Sequence, residues 1–252
     1  MKFLVFCLAI LVCSFGSYSL AGTIDPSISD SKYLEYSKDF KCVYKICGTY
    51  KDGTLFCASA VVIDSHWVLT AAHVVQNTKI CLIHKEEKAH VVSEIFIHPD
   101  FKDEGFGNSD IALCYVEEDI GLEFYPKLYE NNDEVNKVCS ISGYGLTGTF
   151  LTGAIKSDGN QRAGSNHIDE IQNDLLICTA STRTSKKRSS LEFLIGSGDS
   201  GGGLFIDGKL AGINSCVLAA DRKPDSTYGD EAGHTRVSKF VDWIKKIKNE
   251  KK

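Results

Sequence analysis

The sequence predicts an all-β protein that ends in one α-helix. Short apolar, β-branched runs recur along the chain, each bounded by turn residues, and few stretches show the 3.6-residue period of an amphipathic helix. Strands that follow one another without interleaved helices favour a barrel or a sandwich. The predicted strands include Cys42–Cys47, Leu55–Ile63, Val91–Ile97, Ile111–Val116, Val138–Ser142, Leu175–Cys178 and Leu210–Ser215.

The first 21 residues are typical of a secretory signal peptide. Met1-Lys2 is basic, residues 3–13 form an apolar run, and Ser19 and Ala21 are small residues two apart. The run is too short to cross a bilayer of about 30 Å as a helix. We therefore predict cleavage after Ala21, a mature domain of residues 22–252, and a secreted protein, either extracellular or periplasmic.

The composition excludes several classes of protein. With 43% hydrophobic and 24% charged residues, the chain has enough apolar surface for a core and is not disordered as a whole. A net charge of -5 argues against a nucleic-acid partner, and no later segment is long enough to span a membrane. Signal-peptide removal would take away Cys7 and Cys13, which leaves eight of the ten cysteines in an oxidising compartment where disulfides are expected.

One disulfide is predicted from a hairpin. Lys51-Asp52-Gly53 joins the first two predicted strands, and a three-residue loop there places Cys47 directly opposite Cys57. Opposite residues of an antiparallel pair are close enough for a cross-strand bridge. Farther along, two polar stretches, Gly145–Asn173 and Ala180–Leu191, are predicted to be surface loops.

The predicted helix covers residues 238–248. Its apolar residues lie on one helical face, and Ser238 is the expected N-cap. The residues of this face are Val237, Phe240, Val241, Ile244 and Ile247.

Three segments carry residue types that could do chemistry. They are Trp67-Val68-Leu69-Thr70-Ala71-Ala72-His73, Asn108-Ser109-Asp110-Ile111-Ala112-Leu113 and Gly196-Ser197-Gly198-Asp199-Ser200-Gly201-Gly202-Gly203. A lone His beside a strand or a lone Asp at a turn is usually structural. The glycine-rich third segment is more specific, because it lets consecutive backbone N–H groups point into one pocket.

Together these segments resemble the chymotrypsin-like (trypsin-fold) serine peptidase family. They occur in that family's order, and Ser142-Gly143-Tyr144-Gly145, Gly212-Ile213-Asn214-Ser215 and Thr235-Arg236-Val237 also match it. The resemblance covers residues 40–248 and implies two packed six-stranded antiparallel β-barrels, approximately residues 40–125 and 135–236. It implies a secreted serine endopeptidase that acts on proteins or peptides.

The resemblance also implies the role of each site residue. His73 would be the general base, Asp110 its orienting carboxylate and Ser200 the nucleophile, with the N–H groups of Gly198 and Ser200 as the oxyanion hole. Ser215 would support Asp110 and begin the strand that pairs with substrate. Asp199 would bind an activating ammonium. Further expectations are a monomer that proteinaceous inhibitors can bind, with no cofactor and no metal.

Two rival interpretations remain open at this point. Gly198-Asp199-Ser200-Gly201-Gly202 also satisfies the G-x-S-x-G elbow of α/β-hydrolases, with His234 available to complete that triad in an esterase. That fold requires alternating strands and helices, which the sequence lacks. The other rival is a catalytically silent binding module on the peptidase fold, although all three triad residues are present here.

Departures from the family pattern concern cysteines, activation and specificity. Val74 follows His73 where a Cys is usual, so Cys57 lacks the family's partner. No Ile-Val-Gly-Gly start occurs, so the ammonium for Asp199 would come from Gly22 or Ile24, or a cation elsewhere in the chain would take its place. We expect signal-peptide removal alone to give activity.

Leu194 stands at the base of the expected substrate pocket, where trypsins have Asp. Val217 forms one wall, and Gly233 (or Ala232, depending on alignment) forms the opposite wall. An apolar base cannot pair with Lys or Arg, so the resemblance implies small or medium apolar residues on the N-terminal side of the cleaved bond, the P1 position.

Overall fold

The computed structural model describes residues 22–102, 108–156, 158–181, 185 and 187–251. The predicted signal peptide lies outside these residues. The strands are β1 (Thr23–Ile24), β2 (Val43–Tyr50), β3 (Leu55–Asp64), β4 (Trp67–Thr70), β5 (Thr78–Lys85), β6 (Lys88–Ile97), β7 (Ala112–Val116), β8 (Val138–Gly143), β9 (Thr147–Thr149), β10 (Gly153–Lys156), β11 (Arg162–His167), β12 (Glu170–Gln172), β13 (Leu175–Thr179), β14 (Phe193–Leu194), β15 (Gly203–Ile206), β16 (Lys209–Ala219) and β17 (Asp230–Arg236).

The first barrel is closed and has six strands. Its order is β2-β3-β4-β7-β6-β5, and every pair is antiparallel. Apolar runs such as Leu55–Asp64 of β3 point their alternate side chains into its core, where Val61, Val68 and Leu113 are fully buried. Closure leaves no unpaired strand edge.

The second barrel is built from a seven-stranded antiparallel sheet with the order β11-β8-β15-β16-β17-β13-β12. Strands β11 and β13 come into contact, so the sheet curls around a core that includes Ile141, Leu176 and Leu204. The predicted pair of packed antiparallel barrels is confirmed, with short β12 as one strand more than expected. A separate four-stranded sheet, β10-β9-β1-β14, holds the N-terminal residues.

The helices of the described residues are α1 (Asp30–Ser37), α2 (Ala72–Val75) and α3 (Val241–Glu250). A 3₁₀ turn, Val237–Lys239, precedes α3, so the α-helix begins later than the predicted residue 238. Ser238 does not cap this helix. Its hydroxyl donates to Glu134 Oε1 at 2.7 Å, an acceptor contributed by another part of the chain that local sequence does not reveal.

The prediction of a surface loop over Gly145–Asn173 was wrong. That stretch contains β9, β10, β11 and β12, and most of β11 is buried although its sequence is Arg-Ala-Gly-Ser-Asn-His. Full antiparallel pairing with β8 satisfies its backbone. An apolar-alternation criterion misses a strand whose buried polar side chains find partners only after folding.

The predicted hairpin and its disulfide are both present. Tyr50 N donates to Thr54 O at 2.9 Å, Cys47 pairs with Cys57 in the register, and the two cysteines are bonded. No helix among the described residues is long and apolar enough to cross a membrane. The antiparallel sheets of the two barrels exclude the α/β-hydrolase alternative, whose fold needs a parallel sheet.

Buried Arg162 ties the N-terminal segment to the second barrel. Its guanidinium donates to Asp30 Oδ1 and Oδ2 at 2.6 and 2.7 Å, and to Asp158 Oδ1 and Oδ2 at 3.0 and 2.7 Å. The Arg162 side chain is 2% exposed, whereas those of Asp30 and Asp158 are 43% and 38% exposed. Loss of its counter-charges would therefore cost more for the buried Arg162 than for either half-exposed aspartate.

This asymmetry predicts unequal costs for the two ways of breaking the cluster. D30N/D158N leaves a buried cation without a counter-charge and is expected to lower the free energy of unfolding by about 3 kcal/mol. R162M leaves two half-exposed carboxylates that water can solvate, so its cost is expected to be smaller. Urea unfolding measures the free energy of unfolding of both variants. E35Q, which breaks the exposed Glu35–Lys38 pair, is the control and is expected to change that free energy by less than about 0.5 kcal/mol. A larger cost for R162M would contradict the argument.

Candidate active site

His73 is presented at the rim of the first barrel. Buried β4 ends at Thr70, Ala71 is fully buried, and the chain then turns into the four-residue helix α2, which carries His73. The small side chains before the histidine let the turn pack closely against the barrel. The imidazole remains 36% exposed and is therefore within reach of a substrate.

Asp110 holds His73 by two hydrogen bonds. The Nδ1 atom of His73 lies 2.8 Å from Asp110 Oδ2, and the His73 backbone N–H donates to Oδ1 at 3.0 Å. From the second barrel, Ser215 Oγ donates to Oδ2 at 2.6 Å and Thr235 Oγ1 donates to the Asp110 carbonyl at 2.9 Å. Both barrels thus fix the same carboxylate.

Asp110 stays ionised although its side chain is only 5% exposed. Burial pushes its pKa upward, but the hydrogen bonds from His73 and Ser215 outweigh burial and bring the pKa below the ordinary value for Asp. An ionised carboxylate accepts the Nδ1 proton of His73. The other ring nitrogen, Nε2, is then the one that can accept a proton from a nucleophile.

The loop that carries Ser200 is folded by its own backbone. Asp199 N donates to Gly196 O at 3.0 Å, Gly202 N donates to Asp199 O at 2.9 Å, and Gly201 N donates to Asn214 O at 2.8 Å. Gly201 has φ +83°, and a Cβ there would meet Ser59 O and Thr70 Oγ1 at 2.1 Å. Only glycine fits, and this close approach packs the Ser200 loop against the segment that ends in His73.

Two N–H groups of this loop point to an oxyanion hole. Neither Gly198 N nor Ser200 N has a hydrogen-bond acceptor among the residues that the structure describes. Gly198 has φ +92°, a conformation that favours glycine. Both residues are half-buried, so these donors are free to bind an oxygen that carries negative charge.

Asp199 is fully buried between these two donors. Its carboxylate accepts from three backbone N–H groups, those of Gly22 (2.7 Å), Gly196 (2.8 Å) and Gly145 (2.8 Å). Burial raises the pKa of Asp199 to about 7, and these hydrogen bonds only partly offset the effect. Within the described residues no cationic side chain is within salt-bridge distance of Asp199. Of the two predicted N-terminal partners, Gly22 is therefore the one in place.

Gly22 fits this pocket because it is a glycine. Its φ is +45°, and a Cβ would meet Leu194 O and the Phe193 ring at 2.3 Å. Ile24, the other predicted source, is held in β1 opposite Phe193.

The apolar residues expected to select substrate belong to one apolar cluster, and the structure decides which of Ala232 and Gly233 lies opposite Val217. Leu194 is 1% exposed and shares an apolar cluster with Ala232, and half-buried Val217 packs against that cluster. Val217 is the Cα partner of Ala232, whereas Gly233 lies opposite Cys216. Ala232 rather than Gly233 is therefore the residue facing Val217. A bulge at Ser215 shifts the register between β16 and β17 and causes this pairing.

Two other candidate groups have structural roles. His234 is fully buried, Asn214 Oδ1 lies 2.9 Å from its Nδ1, and burial lowers its pKa to about 3. Among the described residues, Cys47, Cys57 and His84 form the group with metal-ligand spacing, but the two sulfurs are bonded to each other. A disulfide does not supply the thiolates that a zinc site uses.

Sequence reasoning missed Thr70, Thr235 and Ser59 as supports of the site. Each acts through a contact with a residue distant in the chain: Thr235 with Asp110, Thr70 with Ser59, and Ser59 with Gly198. No local pattern marks such a contact. The one available signal was the resemblance itself, since Thr70 and Thr235 lie inside the matched motifs.

Comparison with known proteins agrees with this geometry. The family model for trypsin matches residues 38–244. Submandibular glandular kallikrein-9 of Rattus norvegicus is 26% identical over 229 residues, covering 79% of this chain and 83% of the relative. Snake venom serine proteinase 14 of Crotalus adamanteus is 30% identical over 209 residues, covering 75% of this chain and 76% of the relative.

Solved structures show the same fold. HL collagenase superposes with a TM-score of 0.67 at 20% identity, covering 83% of this chain and 94% of that one. Neuropsin, a serine protease expressed in the limbic system of mouse brain, superposes with a TM-score of 0.64 at 19% identity. The match covers 82% of this chain and 94% of the neuropsin chain. The family match over most of the chain and the two-barrel fold lead to one conclusion: the chain belongs to the trypsin family of chymotrypsin-like serine endopeptidases.

Proposed function

We propose that this protein is a secreted serine endopeptidase that cleaves peptide bonds through an acyl-enzyme with His73, Asp110 and Ser200. The observation that carries the proposal is the hydrogen-bonded His73–Asp110–Ser215 network beside a loop whose Gly198 and Ser200 N–H groups lack acceptors among the described residues. All these residues belong to one chain, so a monomer contains the whole site. The same site would bind proteinaceous inhibitors.

The proposed reaction has two halves. Ser200 Oγ attacks the substrate carbonyl carbon while its proton passes to His73 Nε2, and the oxygen that becomes negative is bound by Gly198 N–H and Ser200 N–H. The carbon–nitrogen bond then breaks, and the proton on His73 goes to the leaving amine. Water then attacks the ester while its proton passes to His73 Nε2. The bond between the carbonyl carbon and Ser200 Oγ breaks, His73 returns the proton to Oγ, and the second product leaves as the acid.

Substitution of the triad tests this mechanism. S200A is expected to abolish covalent labelling by a fluorophosphonate, and D110N to lower kcat by about 10⁴-fold because the wrong histidine tautomer results. The double variant H73A/S200A is expected to lose no more than either single variant, since the residues act as a unit. S31A, on the surface of α1, serves as the control. A correctly processed wild-type protein that is neither labelled nor active would instead favour the binding-module alternative.

We further propose that the peptidase prefers small or medium apolar P1 residues over Lys and Arg. Leu194, Val217 and Ala232 are apolar, and the base position carries no carboxylate to pair with a cation. An unpaired substrate ammonium or guanidinium would lose its hydration there without compensation.

Profiling of a peptide library is the test of this preference. The kcat/KM for cleavage after Ala, Val or Leu is expected to exceed that after Lys or Arg by at least about tenfold. A single methylene group in an apolar pocket already changes kcat/KM by about tenfold or more, and an unpaired charge is a larger difference. V217G should widen the pocket and raise the ratio of Phe to Val cleavage about tenfold, whereas L218A, next along β16, is the control. Preferred cleavage after Lys or Arg would overturn the assignment.

Signal-peptide cleavage is also the proposed activation step. Cutting after Ala21 turns the Gly22 N–H, already 2.7 Å from Asp199 Oδ2, into a free ammonium. A buried carboxylate without a cation is unfavourable, and this ammonium would supply the missing charge. Because Asp199 lies between the two oxyanion donors, its position fixes theirs.

Two purified forms test this proposal, one beginning at Gly22 and one retaining Ala21. The longer form should be at least about tenfold less active, since its Asp199 lacks a counter-charge. Its Asp199 pKa, about 7, lies above the unfolded value, so it binds more protons when folded and loses stability as pH rises from about 4 to 7. The form that begins at Gly22 should lack this loss, because the ammonium stabilises the charged carboxylate.

Thermal unfolding at pH 5.0 and 7.5 measures the difference, and the other titrating groups cancel between the two forms. The melting temperature of the longer form is expected to fall by several degrees more than that of the shorter form, since about 1 kcal/mol corresponds to a few degrees for a chain of this size. Equal activity and equal pH dependence would rule out Gly22 as the activating residue.

A further inference from the structure

The hydroxyl of Ser59 connects the first barrel to the oxyanion-hole loop of the second. Ser59 lies in β3, is fully buried, and its Oγ donates to the Gly198 carbonyl at 2.9 Å. The same oxygen accepts the Tyr144 backbone N–H at 2.9 Å. A carbonyl can only accept and an N–H can only donate, so the direction of both bonds is settled by the partners.

The Ser59 backbone contacts the same loop independently of its side chain. Ser59 N donates to the Ser200 carbonyl at 2.9 Å, and Ser59 O accepts Thr70 Oγ1 at 2.9 Å. One residue of β3 thus bonds to the carbonyls of both Gly198 and Ser200. These are the two residues whose N–H groups form the proposed oxyanion hole.

Gly198 needs such an anchor more than other residues of the loop. Without a Cβ, glycine has more backbone conformations available than any other residue type, and Gly198 adopts one that favours glycine, with φ +92°. A flip of the peptide groups around Gly198 would turn a donor away from the substrate oxygen. The peptide group between Gly198 and Asp199 is held on both sides. The Ser59 hydroxyl donates to its carbonyl, and its N–H, that of Asp199, donates to Gly196 O at 3.0 Å. Among the described residues, the Ser59 hydroxyl is the donor that fixes the carbonyl side.

We propose that Ser59 is a positioning residue that holds the carbonyl of the Gly198–Asp199 peptide group, which lies between the two N–H donors, so that the oxyanion hole is formed before substrate binds. This inference rests on the proposed peptidase function. Ser59 does not touch the reacting atoms. It acts through Gly198, and its contribution is therefore greater in the transition state, where the oxyanion carries charge, than in the bound ground state.

The first test is S59A, compared with S165A as a matched control. Ser165 is buried in β11, and its hydroxyl likewise accepts a backbone N–H, that of Leu191, and donates to another oxygen, Ser189 Oγ. S59A is expected to lower kcat about tenfold with little change in KM, less than the about 10²–10³-fold loss when an oxyanion donor itself is removed. Rates are normalised to sites titrated with a fluorophosphonate, so unfolded protein does not contribute.

A transition-state analogue separates positioning from general destabilisation. The affinity of S59A for a peptide aldehyde, whose adduct with Ser200 carries an oxyanion, should fall by the same factor as kcat/KM. Binding of the corresponding peptide alcohol, which forms no adduct and carries no negative charge, should stay unchanged. S59T retains the hydroxyl and should restore both kcat and aldehyde affinity.

The outcomes separate a failure of the proposed peptidase function from a failure of the Ser59 role. Wild-type protein that is neither labelled nor hydrolytic would contradict the peptidase function, and the Ser59 role with it. Active wild type with S59A unchanged in kcat and aldehyde affinity would overturn the Ser59 role alone. If S59A does not fold, S59T decides the matter: a folded S59T with wild-type kcat and aldehyde affinity supports the role of the hydroxyl, and one with reduced values contradicts it.

Discussion

The buried carboxylate of Asp199 is the constraint on which the rest of the site depends. It lies within the second barrel and gathers the N–H groups of Gly22, Gly145 and Gly196, three residues far apart in the chain. Each of these groups must approach closely, and glycine at each position allows it. A Cβ on Gly145 would lie 2.5 Å from Asp199, just as one on Gly22 would strike Leu194 and Phe193. The Gly22 segment, the Gly145 turn and the Ser200 loop are thus assembled around one buried carboxyl group.

The candidate catalytic residues are divided between the barrels, so the interface between the barrels determines their geometry. His73 and Asp110 come from the first barrel, and Ser200 and Ser215 come from the second. Hydrogen bonds that cross the interface, from Ser215 and Thr235 to Asp110 and from Ser59 to Gly198 and Ser200, hold the two halves in register. Because both sides donate to the same few acceptors, a shift of one barrel would break several bonds together. Such shared networks are worth more than their separate bonds.

Much of this arrangement follows from short-range patterns in the sequence. The Lys51-Asp52-Gly53 turn determines the register of the first hairpin, and with it the pairing of Cys47 and Cys57. Apolar, β-branched runs predict the strands β2, β3, β6 and β7 of the first barrel. The order of the His73, Asp110 and Ser200 segments, together with the glycines around Ser200, indicates the family. For the hairpin and the strands the necessary information lies within about ten residues, where turn geometry and side-chain period act directly. For the family it lies in short motifs and in their order along the chain.

The sequence by itself therefore determined the fold class, the first hairpin and the identities of the candidate catalytic residues. Only the tertiary structure decided that Gly22 rather than Ile24 lies at Asp199, that Ala232 rather than Gly233 faces Val217, and that Ser59 holds Gly198. It also turned the polar segment Arg162–His167 into a buried strand, because Asp30 and Asp158 satisfy Arg162 there. These outcomes depend on contacts between distant segments and on a bulge that shifts a strand register by one residue. Local periodicity carries no information about either, since it specifies which face of a strand is buried and not what lies opposite it.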